Sequence, residues 1–391
     1  MLPTLARARA WTDEDIEITL IDPHRWLYYS GMVPEYLGGV YDVDEIRIDL
    51  ERLAREGGLS FVQERATGLD PEARAITTGD GAEHAYDVLA VDVGAVNPAV
   101  PAPAVATKPI SRIRELEGPI RRTLRSASES LRLVIVGGGA AGVEVALNVT
   151  ARFRGAGRGE DLNLTIVERE PTLLPRFPAG MQRYAETHLR ERGASLRLRT
   201  SVEDVAPRDP GATVRLSTAD GGVSLEASTV LWATGTVGPS FLRASGLPTD
   251  DRGFLRVTSQ LRSPTHPRIF AAGDCATLQD RPLDKVGVHA VKQGADLRTN
   301  LERTLRHLAT GTVPPSSALT SFRPYPLAPL ILSTGTREGL WTAGSMWAAH
   351  PWILRLKHWI DRRWIQSYVP EHWGDAGWRR MLGPEAASSQ A

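Results

Sequence analysis

LVIVGGGAAGVEVALNV (residues 133–149) runs from an apolar stretch into three glycines and then into a helical pattern. The spacing Gly137-x-Gly139-x-x-Gly142, set between a strand over 131–136 and a helix over 140–153, is a dinucleotide-binding fingerprint. One glycine makes the tight turn, one lets the backbone approach a pyrophosphate, and one lets helix and strand pack closely. The helix N-terminus then offers oriented N–H groups to the phosphates. The next strand, LNLTIV (162–167), ends on Glu168, 26 residues after Gly142, with the FRGAGRGEDLN loop (153–163) absorbing the extra length. A carboxylate there accepts hydrogen bonds from the adenosine ribose and repels a 2′-phosphate, which favours NADH. Arg169 beside it leaves NADPH open.

Outward from that block, short apolar runs alternate with helical patterns, as in parallel α/β sheets. Upstream, 16–21 (IEITLI) reads as a strand ending at Asp22, with further strands at 59–64, 74–77 and 86–92 and a helical stretch near 111–127. Downstream, 181–192 reads as an amphipathic helix stopped by Gly193, followed by strands at 195–199, 213–217, 228–233 and 267–274 and a helix over 285–307. Two features occur twice. A strand ends in an acid at Asp22 and at Glu168, and a strand ends in a small-residue glycine turn at DVGA (92–95, with Gly94) and at ATG (233–235, with Thr234 and Gly235). The expectation is an α/β chain with two Rossmann-like dinucleotide-binding domains.

Composition narrows the function classes. The 391 residues, 42% hydrophobic and 24% charged, suit two or three soluble domains. Lys+Arg and Asp+Glu are 46 each, so no net positive field points to nucleic acid. The single cysteine, Cys275, excludes an intramolecular disulfide, a Cys-x-x-Cys pair and a cysteine-built zinc site. The nine histidines contain no His-x-x-x-His pair, so no metal site is expected. No run approaches the length of a membrane span, and the N-terminus lacks the apolar core of a secretory signal. The expected location is the cytoplasm, with attachment to the inner face of the cytoplasmic membrane left open.

Six stretches carry a family likeness: ITLIDPHRWLYYSGMVPEYLGG (18–39), YDVLAVDVGA (86–95), VGGGAAGVEVAL (136–147), TVLWATG (229–235), RIFAAGDCA (268–276) and KVGVHAVKQG (285–294). With them the chain resembles the two-dinucleotide flavoproteins of the pyridine nucleotide-disulfide oxidoreductase superfamily. Within it, the likeness is to type II NADH dehydrogenase-like proteins, in the branch also found fused to selenide, water dikinase. The resemblance implies a glutathione reductase-like fold with FAD and NADH as cofactors. An FAD domain would comprise 1–115 and 255–325, an NAD(P)H domain 128–254, and a C-terminal interface or membrane-associating segment 326–391.

The likeness also implies roles. Asp274 would bind the ribityl hydroxyls beside Gly273, and Asp22 the FAD adenosine ribose. Tyr29, Ser30, Gly31 and Met32 would lie along the isoalloxazine. Gly287, Val288 and His289, opening a helix, would face the flavin pyrimidine end, where a helix N-terminus stabilises negative charge. Gly94, Thr234 and Gly235 join the cofactor-binding set, and Glu144 and Lys285 are the catalytic candidates. By position alone Glu144 could equally be a helix-surface carboxylate, and Asp274 a helix cap. Cys275 reads as a small buried residue beside the flavin in preference to a reactive thiol.

Two departures stand out. Where type II enzymes usually carry Ala-Gln at the quinone site, this chain has Gly287-Val288. The family's first strand and glycine turn have no counterpart before the helix LPTLARARAW; an upstream start is one expectation, a flavin-free nucleotide-binding regulatory protein the other. The acceptor expected is a quinone or similar small molecule, with a soluble electron carrier or a selenium-linked acceptor as rivals. Disulfide reductases and sulfide:quinone reductases need a cysteine pair that this chain lacks.

Seven of the ten tryptophans fall in the last 51 residues: Trp341, Trp347, Trp352, Trp359, Trp364, Trp373 and Trp378. Over 352–365, Trp352, Ile353, Leu356, Trp359 and Ile360 recur at helical spacing, with Arg355, Lys357, Arg362 and Arg363 opposed only by Asp361. This reads as a basic amphipathic helix for a membrane surface, or else as one packed on the flavin domain or on a second subunit of a homodimer.

Overall fold

The computed structural model describes residues 1–369 apart from 7, 13–15 and 219–220. Trp373, Trp378 and the rest of the expected C-terminal segment beyond 369 lie outside the described residues.

The fingerprint strand Leu131–Val136 is the middle of a five-stranded parallel sheet. The order is Ser195–Arg197, Leu162–Val167, Leu131–Val136, Thr229–Trp232 and Val105–Ala106. Strand residues 133–136 are all buried, as a sheet covered on both faces requires. An antiparallel meander of Ser201–Pro207, Ala212–Thr218 and Gly221–Ala227 is inserted between the sheet strands Ser195–Arg197 and Thr229–Trp232. The first half repeats this plan with shorter pieces. Thr19–Ile21 pairs in parallel with Ser60–Val62, and Leu89–Val91 with Ile269–Ala271. A meander of Ala66–Asp70, Ala75–Thr78 and Glu83–Ala85 accompanies them. Val105–Ala106 lies within the stretch assigned by resemblance to the first half, yet it hydrogen-bonds to Thr229–Trp232 of the second.

The fingerprint helix Ala140–Gly155 is buried on nearly all sides, with Val143, Val145, Ala146, Leu147, Val149 and Phe153 at zero exposure. Each large aliphatic or aromatic side chain buried there contributes roughly 1.5–3 kcal/mol. One face meets the parallel sheet. The other meets the short helix Val33–Leu37 and strand Leu330–Ser333 of a C-terminal antiparallel sheet, whose other strands are Gly339–Ala343 and Met346–His350. The C-terminal helix Pro351–Gln366 packs against that sheet. The expected helix over 285–307 is Gly287–Ala309, and the expected strand over 267–274 is only Ile269–Ala271, followed by a tight turn at Gly273–Cys275.

Candidate functional site

In the second half the glycines do separate work. Gly137 has φ +114° and lies against the turn after Thr229–Trp232, where a Cβ would come within 2.5 Å of the Ala233 carbonyl oxygen. A Cβ on Gly142 would meet the Gly137 carbonyl oxygen at 2.1 Å, so strand and helix approach only because it is absent. Gly139, the N-cap of the helix, has nothing within 4 Å of its would-be Cβ and has no capping side chain. That open, uncapped end fits a pyrophosphate. Glu168 stands at the strand end next door. Its Oε2 accepts from the Gly138 N–H at 2.6 Å and its Oε1 from the Glu170 N–H at 2.9 Å.

In the first half the candidates come from distant segments. Asp22 follows its strand and accepts from the His24 N–H at 2.8 Å; burial raises its carboxyl above the usual range. Gly273, at φ +70°, donates its N–H to Gln293 Oε1 at 2.7 Å, and its would-be Cβ would come within 2.4 Å of an Asp92 oxygen. Asp274 is not a helix cap. Its Oδ2 meets the Lys108 ammonium at 3.0 Å. The long helix opening at Gly287 has no capping side chain and no acid in its first turn, and buried His289 Nδ1 has no partner. A donor-rich helix end beside an orphaned imidazole nitrogen fits the polar edge of a flavin. Gly94, at φ +68°, is open to its surroundings. Lys285 donates to the Ala276 carbonyl and lies 4.1 Å from the centre of the Phe254 ring, and burial lowers its ammonium. Cys275 is fully buried, donates to the Ala272 carbonyl at 3.1 Å, and burial pushes its thiol up to about 12. It is a packing residue, not a reactive one.

Glu144 is not on a helix surface. It is 8% exposed, and its Oε1 accepts from the Ser333 N–H at 2.8 Å across the boundary with the C-terminal sheet. Burial raises its carboxyl to about 8, against the pull of the nearby Lys357 ammonium. Such a group exchanges a proton near neutral pH, as general acid–base work requires.

The C-terminal helix corrects the amphipathic reading. Lys357 does not belong to a basic outer face. Its ammonium is buried and donates to Glu35 Oε2, to Asp361 Oδ2 at 2.7 Å and to the Gly31 carbonyl at 2.7 Å. Burial pulls that ammonium down, but Glu35 and Asp361 outweigh it and hold it charged. His358 Nε2 lies 2.6 Å from the other Glu35 oxygen, and Trp364 stacks on Tyr29 at 4.2 Å. The helix thus grips the Tyr29–Met32 turn, in which Met32 is fully buried and Ser30 is exposed. Ile353 also faces inward, whereas Trp352, Leu356, Trp359 and Ile360 face outward with Arg355, Arg362 and Arg363.

Sequence reasoning missed Glu35, Asn97, Lys108 and His358. Glu35 sits in the apolar run MVPEYL, and a charge placed there was the one signal available for it. Asn97 donates to the carbonyls of Thr234 and Gly235 and so ties the glycine turns of the two halves together.

A model of the pyridine nucleotide-disulphide oxidoreductase family matches residues 4–294. The type II NADH:quinone oxidoreductase of Staphylococcus aureus (strain NCTC 8325 / PS 47) is 26% identical over 324 residues, 77% of this chain and 79% of that protein. Among solved structures, NDH2 from Plasmodium falciparum in complex with NADH aligns with a TM-score of 0.73 at 14% identity, covering 89% of this chain and 93% of that one. The sulfide:quinone oxidoreductase of Aquifex aeolicus aligns at 0.74 and 16% identity, covering 94% and 89%.

Proposed function

The chain belongs to the pyridine nucleotide-disulphide oxidoreductase family, and on that premise we propose that it oxidises NADH and passes two electrons to a quinone. That it is an NAD(P)H oxidoreductase with FAD and NADH as cofactors follows from the family and its relatives. FAD, when bound, supplies the two-electron carrier that accepts hydride from the nicotinamide.

The observation that carries the reading is the doubled site: an acid and a glycine turn at the strand ends of each half, joined through Asn97. Asp274 and the N-terminus of Gly287–Ala309 would hold the flavin, with Asp22 at its ribose. The Gly137–Gly142 turn and Glu168 would hold NADH, Glu168 disfavouring a 2′-phosphate. Glu144 would hold or release a proton for the reaction, and Lys285, near Asp274, would be the second catalytic candidate. A lone, buried cysteine cannot relay electrons as a dithiol, so a small acceptor suits this chain better than a disulfide. The identity of the S. aureus relative supports a quinone.

The outward face of the C-terminal helix extends the reading to a membrane surface. Trp352 and Trp359 are 56% and 58% exposed beside Arg355, Arg362 and Arg363, the composition of a helix that lies in a headgroup layer. Among the described residues no helix is long and apolar enough to cross a membrane.

The test is a visible absorption spectrum of the protein after FAD addition and gel filtration, followed by NADH oxidation with a soluble quinone analogue and with ferredoxin-type acceptors in parallel. Retained flavin with quinone reduction supports the reading, and Asp274→Ala should weaken FAD binding by about 1.5–3 kcal/mol, the cost of losing hydrogen bonds to a charged group. No flavin retention overturns it. Flavin retention with turnover only on the protein acceptor overturns the quinone.

A further inference from the structure

Two residues between the candidate nucleotide sites, Asn97 and Lys108, are given no part in cofactor binding by the reading above. Asn97 is 7% exposed, and its amide is fully used. Nδ2 donates to the Thr234 carbonyl at 2.9 Å and the Gly235 carbonyl at 3.3 Å. Oδ1 accepts from the Thr107 hydroxyl at 3.0 Å and from the Lys108 N–H at 2.7 Å. Two donors and two acceptor positions are what an amide side chain has.

Lys108 carries the path onward. Its backbone is pinned by Asn97, and its ammonium meets Asp274 Oδ2 at 3.0 Å with the two side chains 27% and 16% exposed. Among the described residues no hydrogen bond reaches Asp274 Oδ1. The short strand Val105–Ala106, just before Lys108, pairs with Thr229–Trp232, just before Thr234. Asn97 and Lys108 therefore span, with two side chains and the Lys108 backbone N–H, the turn at one nucleotide site and the acid at the other. The pair is partly buried, so it holds its geometry better than an exposed surface pair would.

We propose that Asn97 and Lys108 are positioning residues that fix Asp274 against the Thr234–Gly235 turn, and so fix the flavin relative to the nicotinamide. Lys108 holds one carboxylate oxygen and would leave the other for the ribityl hydroxyls. Asn97 sets where Lys108 starts from. The inference rests on the proposed binding of FAD at Asp274 and goes beyond it, because the distance between two bound cofactors depends on side chains that touch neither reacting ring.

The experiment compares wild type, Lys108→Met, Lys108→Arg and Asn97→Ala, each loaded with FAD. Three quantities are measured: FAD release on dilution, followed by flavin fluorescence; the thermal midpoint of the FAD-stripped protein; and single-turnover flavin reduction by NADH. Lys108→Met is expected to release FAD about tenfold faster, the low end for a charge-assisted contact. Lys108→Arg recovers most of that loss, and the midpoint of the stripped protein stays put. Asn97→Ala is expected to slow flavin reduction at saturating NADH by tenfold or more while leaving the NADH concentration dependence near its wild-type value, because misplacement costs rate rather than binding. Unchanged release and reduction in the variants, with wild type holding FAD, overturns this inference alone. Parallel loss of the thermal midpoint with both functions overturns it too, by making the pair a fold element. Wild type that retains no FAD overturns the functional reading on which it rests.

Discussion

The fingerprint turn and the C-terminal helix are both short pieces of regular chain, yet they differ in where their determinants lie. In the turn, every group that fixes the geometry lies within about a hundred residues, and the closest, Gly142 against the Gly137 carbonyl, is five residues away. In the helix, the groups that decide which face turns inward are Glu35 and Gly31, more than 320 residues upstream. Local steric rules are written in the local sequence. A buried ion pair is written in two places at once, and neither place announces it.

The contrast breaks most visibly at Lys357. Replacing it with Met leaves the Glu35 carboxylate buried at zero exposure, with His358 its remaining hydrogen-bond partner among the described residues. Stability should fall by about 3–5 kcal/mol, the cost of an uncompensated buried charge. Chemical denaturation reads this directly, and the double variant Lys357→Met/Glu35→Gln should recover a good part. A loss of a few tenths would mean that the helix face is set by its apolar residues after all.

The glycine turn sharpens the local side of the comparison. Gly142→Ala places a Cβ 2.1 Å from the Gly137 carbonyl oxygen and should cost about 1–3 kcal/mol, as overpacking does. Gly139→Ala meets no protein atom within 4 Å and should leave the thermal midpoint alone while weakening NADH binding in a fluorescence titration. Equal stability losses for the two would sink the division of labour among the glycines.

Glu144 lies where the two regions meet. Its folded carboxyl, raised to about 8 from 4.5, binds its proton more tightly than in the unfolded chain. Its contribution to stability is therefore complete below pH 4.5 and is lost as pH rises through about 8. Glu144→Gln keeps the acceptor for the Ser333 N–H, so it should flatten the decline in thermal midpoint across that window. A decline identical to wild type would place the titrating group elsewhere. The smallest effect on the fold belongs to the outer face. Trp352→Ser/Trp359→Ser should change stability by no more than about 0.5 kcal/mol for each exposed site, yet move the protein out of the anionic-liposome layer in flotation.

These cases mark what was legible in the sequence. The parallel sheet, the fingerprint helix and Glu168 follow from alternating apolar runs and glycine spacing, because both are short-range patterns. Asp274 and Asp22 were singled out through motif likeness alone, and their surroundings were not legible. Lys108 shares no motif with Asp274 and lies 166 residues away. The helix at 351–366 was legible as a helix, whereas its orientation was not. Periodicity groups Trp352 with Ile353, and only packing against Leu330–Ser333 and Gly339–Ala343 separates them. Glu144 could be read as surface or interior because a helix covered on nearly every side has no broad polar stripe to betray it.

The two-residue strand Val105–Ala106 limits how this protein can be taken apart. A fragment cut at 128–254 would carry the fingerprint and the whole meander, but the edge of Thr229–Trp232 would be stripped of its partner. Bare strand edges recruit other chains. Such a fragment would also lack Asn97, leaving the Thr234 and Gly235 carbonyls without their amide donor. Modularity here does not follow the order of the chain: a self-sufficient NAD-binding unit would have to borrow residues 95–108 from its neighbour, by a graft or a circular permutation.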